Sequence, residues 1–83
     1  MNVILFSKPG CHLCDDARAL LDDLAADTAL KFDEVDIRDD PGLFERYRYR
    51  IPVINIDGCD ALEGRIDPRV FSTTFQQALR SGS

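Results

Sequence analysis

Cysteine is scarce in this chain and odd in number, three in 83 residues. That count excludes the disulfide-stapled scaffold of small secreted domains, which carry an even and larger set. Histidine occurs once, as His12 between Cys11 and Cys14, while Cys59 stands alone. A structural zinc site needs four ligands at set spacings, so no resident metal or other permanently bound cofactor is expected. Long apolar runs are missing as well. The longest, Val3 to Phe6, is far too short to cross a bilayer, and no basic segment precedes it to suggest a signal peptide. Bases are outnumbered ten to fifteen, and the net charge of −5 argues against generic binding to nucleic acid or to an anionic membrane. With no linker, repeat or low-complexity stretch, residues 1–83 read as one domain, expected to be a cytoplasmic monomer.

What is present is a regular alternation of strand and helix signals. Residues 2–6 read as a buried strand, and residues 12–26 as an amphipathic helix with Leu13, Ala17, Leu20, Leu21 and Leu24 on one side. Residues 30–37 read as a second strand whose apolar parity shifts between Phe32 and Val35, which implies a bulge or partial cover on both faces. Asp39-Asp40-Pro41 is a cap followed by a first-turn proline, opening a short helix over 41–47. Residues 52–56 form a third strand, Asp57-Gly58 a hairpin turn, and residues 59–63 a fourth strand. Asp67-Pro68 repeats the cap signal before a last helix to Leu79, and residues 80–83 are expected to fray. The order β-α-β-α-β-β-α predicts an α/β fold with a four-stranded mixed sheet and helices on both faces. Strands one and two should be parallel, and the last two should form an antiparallel hairpin.

The chemistry concentrates at Cys11-His12-Leu13-Cys14, where the turn Ser7-Lys8-Pro9-Gly10 joins the first strand to the first helix. A sulfur at a helix N-terminus meets unpaired backbone N–H groups and the positive end of the macrodipole, both of which favour thiolate. Lys8 and His12 should add to this effect, and Asp15 and Asp16 should oppose it. Cys14 lies one turn further in, within disulfide reach. These residues read as a redox-active disulfide site, with Cys11 as nucleophile and Cys14 as resolving thiol. Leu13 would pack or shape the substrate groove, with no part in the chemistry. Cys59 is expected to be a packed or free thiol. Five aspartates crowd the first helix (Asp15, Asp16, Asp22, Asp23, Asp27), and Arg46, Arg48 and Arg50 crowd the segment before Ile51-Pro52.

With the dithiol at the first strand–helix junction and Ile51-Pro52 opening the third strand, the chain resembles the thioredoxin superfold and, within it, the glutaredoxins. It is most similar to small glutaredoxin-like proteins marked by Gly-Cys-His-Leu-Cys, an acidic residue and Ala, here Gly10 to Ala17. The resemblance implies a thioredoxin-like fold, a role in cell redox homeostasis, and glutathione-linked reduction of protein or mixed disulfides. Glutathione would be a co-substrate and disulfide-bearing proteins the partners. It also implies a cis bond before Pro52, with the Ile51 backbone N–H and C=O offered to an extended substrate. Lys8, His12, Arg48, Arg50, Ile51, Pro52, Arg65 and Asp67 would fall at the glutathione-binding rim, although a helix-capping role also accounts for Asp67. Departures from the better-known glutaredoxins are His12-Leu13 in place of Pro-Tyr, Arg50-Ile51-Pro52 in place of Thr-Val-Pro, and Gly64-Arg65-Ile66-Asp67 in place of a Gly-Gly pair before the last acid. Three other readings stay open. These are a thioredoxin-like reductase independent of glutathione, a glutathione-dependent [2Fe–2S] carrier, and a non-enzymatic binding module.

Overall fold

Val3 to Phe6 and Val53 to Ile56 are the two most apolar short segments, and they lie side by side at the middle of the sheet. A computed structural model describes residues 1–81. It contains β1 (Val3–Ser7), α1 (His12–Thr28), β2 (Asp33–Asp36), α2 (Pro41–Tyr47), β3 (Val53–Ile56), β4 (Cys59–Glu63) and α3 (Pro68–Ser81). The sheet order is β2-β1-β3-β4. β1 runs parallel to β2 and antiparallel to β3, and β3 pairs antiparallel with β4. Central strands are covered on both faces and therefore read as continuous apolar runs, whereas the edge strands carry the acids.

Two cores sit on opposite faces. In the first, Val3, Leu5 and Ile54 pack against Ala17 and Leu21 of α1 and Phe71 and Phe75 of α3. In the second, Phe6 and Val53 pack against Ile37 and Tyr47. The Phe6 and Tyr47 rings stack at 4.6 Å between centroids. Helices α1 and α3 thus share one face, and α2 takes the other. The turn at Asp57-Gly58 has φ of 51° and 88°, the paired positive values of the tight turn that suits a right-twisted hairpin.

Four expectations need correction. The second strand spans only Asp33–Asp36, and its register with β1 runs without a shift, so residues 30–37 hold no bulge. Leu30 and Phe32 instead tuck against the first core from outside the ladder, while Ile37 opens a 3-10 turn, Ile37–Asp39, capped by Asp36. The irregularity lies between Ile54 and Asn55 of β3. There the half-buried Asp60 accepts from the Asn55 side-chain Nδ2 at 2.9 Å, and the Asn55 side-chain Oδ1 accepts from the Gly58 N–H at 3.0 Å. Helix α1 reaches Thr28 and stops at Ala29, which takes the left-handed conformation. Finally, α3 continues through Ser81, past the expected end at Leu79, and residues 82–83, part of the tail expected to fray, lie outside the described residues.

One polar network ties α1 to both strands beside it. Glu34 of β2 accepts from the Ser7 hydroxyl at 2.7 Å and from Arg18 Nε at 2.7 Å, and Arg18 also pairs with Asp15 at 2.8 Å. The Arg18 guanidinium holds the Glu34 carboxyl below its usual range against the opposing pull of burial, and the Ser7 hydroxyl helps. A depressed carboxyl stabilises the fold above its unfolded pKa, and that stabilisation is lost as pH falls through the folded value. Glu34→Gln should therefore have a lower urea midpoint than wild type near neutral pH, with the gap closing as pH falls below the ordinary carboxylate range. A gap independent of pH would refute the ion-pair role. Phe75 is 1% exposed and Val70 is 52% exposed. Phe75→Ala should cost about 3–5 kcal/mol in the same assay, and Val70→Ala no more than about 0.5 kcal/mol.

Candidate active site

The loop after β1 delivers the two sulfurs through a short sequence of local constraints. Gly10 takes φ of 78°, a left-handed value that costs glycine little, and turns the chain into α1. Cys11 is the N-cap, with extended backbone, and its carbonyl accepts from the Asp15 N–H at 3.1 Å. Its Sγ accepts from the Cys14 N–H at 3.2 Å, the position a serine or aspartate oxygen usually fills. The first sulfur of the motif is thus also the cap of its helix.

The two thiols differ sharply in environment. Cys11 is half-buried, whereas Cys14 is fully buried against the first turns of α1. Burial, followed by the hydrogen bond with Cys11, pushes the Cys14 thiol up to about 12, and the Lys8 backbone and the Arg18 charge oppose that rise. Cys14 is therefore a neutral thiol at pH 7. Cys59 is exposed on the edge strand β4 and is a free thiol.

The Ile51–Pro52 bond is cis, as the resemblance implied, and Pro52 is buried. The Ile51 N–H, expected to be offered to substrate, donates instead to the Tyr47 carbonyl at 3.1 Å. The Pro52 carbonyl accepts from the Gly64 N–H at 2.8 Å, which ties this loop to the end of β4.

The remaining rim residues are not gathered into one site. Lys8 is exposed and lines a polar groove of about 490 Å3 with Ser7, Arg18 and Glu34. Arg65 lines a separate groove of about 300 Å3 with Leu13, Ile66 and Pro68. His12 is the exposed first residue of α1. Arg48 lies over the rings of Phe44 and Tyr49, at 5.1 and 4.6 Å. Arg50 donates to Glu63 at 2.7 Å and to Asp60 at 3.1 Å, so its charge is held on β4 instead of standing open at the rim. Burial works to raise the Asp60 carboxyl, but hydrogen bonds from Asn55, Tyr47 and Arg50 outweigh it and hold the group low. Asp67 caps α3, its side chain accepting from the Arg69 N–H at 2.7 Å and its carbonyl from the Phe71 N–H at 2.9 Å. Among the described residues, no three His, Cys, Asp or Glu side chains come together as a metal-holding group.

Arg18 and Glu34 were missed from the sequence. The Arg18–Asp15 contact was readable as an i, i+3 pair, and Arg18 also stands one turn beyond Cys14. The Glu34 contact depends on the parallel pairing of β1 and β2, and the sequence carries no local signal for it.

Comparison with known proteins agrees with this geometry. No curated protein matches the chain. A target protein of the Northeast Structural Genomics effort, XcR50 from X. campestris, is similar at 29% identity and a TM-score of 0.74, over 90% of this chain and 96% of that one. Thioredoxin 1 from the thermophilic eubacterium Thermosipho africanus shares the fold at a TM-score of 0.72 and 13% identity, over 99% of this chain and 98% of its own. The model of the family described as Glutaredoxin-like domain (DUF836) matches residues 2–79, nearly the whole sequence and every element of the sheet. The chain belongs to that glutaredoxin-like family of thioredoxin-fold proteins, whose general character is redox chemistry.

Proposed function

We propose that this protein is a thiol–disulfide oxidoreductase working through Cys11 and Cys14. The observation that carries the reading is the half-exposed Cys11 sulfur at a helix N-terminus beside a fully buried partner thiol. In the first step the Cys11 thiolate attacks one sulfur of a substrate disulfide. A mixed disulfide forms, and the other substrate sulfur leaves as a thiolate that takes up a proton. In the second step Cys14 gives up its proton and attacks Cys11 Sγ, so the Cys11–Cys14 bond forms and the second substrate thiol is released. The substrate gains two electrons, and the protein holds them no longer. Two equivalents of an external thiol then restore the dithiol.

The unequal environments suit this order of events. A Cys14 thiol near 12 stays protonated at pH 7 and does not compete with Cys11 for the incoming disulfide. Glutathione is the proposed external thiol, and protein or mixed disulfides are the proposed substrates, in a reducing compartment such as the cytoplasm. Lys8, Arg48 and Arg65 are exposed bases without ion pairs among the described residues, available to glutathione carboxylates. Arg50 is the weakest of the expected contacts, because Glu63 and Asp60 already neutralise it. That commitment favours a second reading, in which a protein dithiol restores the pair in place of glutathione.

Iodoacetamide added to the native reduced protein near neutral pH should label Cys11 and Cys59 and leave Cys14 unlabelled until the protein is unfolded, as read by peptide mass spectrometry. Rapid native labelling of Cys14 would contradict the division of roles. Cys11→Ser keeps a good capping oxygen, so the helix should survive while disulfide reduction is abolished. Cys14→Ser should accumulate mixed disulfides with substrate. If Cys11→Ser retains reductase activity, the protein is not the oxidoreductase proposed.

A further inference from the structure

The groove that holds Arg65 begins at Leu13, between the two cysteines, and does not end there. It continues into a smaller hollow of about 190 Å3 with which it shares Leu20, Asp23 and Pro68, so the two form one trough along α1 and the start of α3. Its α1 floor is Leu13, Ala17, Leu20 and Leu24, spaced at i, i+4, i+7 and i+11. Its wall carries Asp16, Asp23 and Asp27, also spaced over eleven residues. None of these three acids has an ion-pair partner among the described residues, whereas Asp15 of the same helix and Glu34 of β2 are both paired with Arg18. Arg65, at the dithiol end, is the one base among the described residues that lines the trough.

We propose that this trough receives the segment flanking the target cysteine of a protein disulfide, and that it selects segments in which lysine or arginine alternates with apolar side chains. The inference rests on the oxidoreductase reading and adds a substrate class to it. Eleven residues of helix rise about 16 Å, which an extended peptide covers with about five residues. Successive side chains of an extended peptide point to opposite sides, so apolar residues can meet the leucine floor while alternate cations meet the aspartate wall. The trough begins at Leu13, between Cys11 and Cys14, so the segment it receives is the one next to the target cysteine. An acidic segment would meet three unneutralised carboxylates on a chain whose net charge is already −5.

The test uses two peptides with the same central cysteine, each in a mixed disulfide with the same chromophoric thiol. One is flanked by lysines and leucines, the other by glutamates and leucines, and bis(2-hydroxyethyl) disulfide serves as the small substrate. The lysine peptide should react about fivefold faster than the glutamate peptide at low salt, and the two should converge at roughly 0.5 M salt. Asp23→Asn combined with Asp27→Asn should bring that ratio to about two or below. Asp33→Asn combined with Glu45→Gln removes the same charge from β2 and α2 and should leave the ratio in place. An equal fall in both double variants would assign the preference to net charge and overturn the inference, as would equal rates for the two peptides in wild type. A dimer in sedimentation that Asp23→Asn with Asp27→Asn dissociates would assign the trough to a second copy and overturn it as well. Failure of the wild type on the small disulfide would overturn the oxidoreductase reading, whereas turnover of the small disulfide with no peptide preference would overturn the trough alone.

Discussion

The Cys14 N–H to Cys11 Sγ hydrogen bond joins local structure to chemistry in a single contact. It satisfies one of the orphan donors at the start of α1, and it holds the Cys11 sulfur at the helix N-terminus, the positive end of the backbone dipole. The strand, the turn and the left-handed Gly10 all serve to bring Cys11 to that point. Sulfur is a weaker acceptor than a hydroxyl or carboxylate oxygen, so the helix start is held less firmly than serine or aspartate would hold it. Packing makes up the difference. Cys14, Ala17 and Leu21 bury the inner side of α1 against the sheet, which keeps the helix in place whatever the cap is doing.

The two sides of the dithiol differ electrostatically. On one side Arg18 is clamped by Glu34 and Asp15, and Ser7 completes the set, so charge there is matched and directed inward. On the other side the carboxylates of α1 stand unmatched above an apolar floor. Across the sheet, Tyr47, Asp60, Arg50 and Glu63 form a second matched set that fastens α2 to the hairpin. Burial and the bond to Asp60 raise the Tyr47 phenol, so it remains a donor there. The matched networks hold elements together, and the aspartates on the groove side take no part in that.

Most of the fold was legible because Val3 to Phe6 is an unbroken apolar run, Val53 to Ile56 is broken only by Asn55, and each later helix opens on Asp-Pro. The dithiol was legible for the same reason, since a turn with Pro9-Gly10 followed by amphipathic spacing fixes where α1 must begin. The second strand was not. Leu30, Phe32 and Ile37 are apolar for three different contacts, two with the first core and one with the second, and only the residues between them pair with β1. The placement of Arg50 was hidden as well. Its proximity to Ile51-Pro52 suggested an open rim, but the hairpin folds Asp60 and Glu63 back onto it, a contact set by β3–β4 register with its shift at Asn55. Sequence periodicity reports which face is apolar, and it is silent about which charges will meet.

The outer strands of the sheet have a consequence for how these molecules tolerate one another at high concentration. β2 is Asp-Glu-Val-Asp and β4 is Cys-Asp-Ala-Leu-Glu, each four or five residues long, and each leaves one row of backbone groups unpaired at the boundary of the sheet. An open strand invites ribbon-to-ribbon growth between neighbours. Here any such pairing, β2 on β2, β4 on β4 or one on the other, would stack carboxylates against carboxylates along a short and interrupted ladder. The sheet is thereby closed by charge where it is open by hydrogen bonding, and acidification, by discharging those rows, would remove the barrier to aggregation.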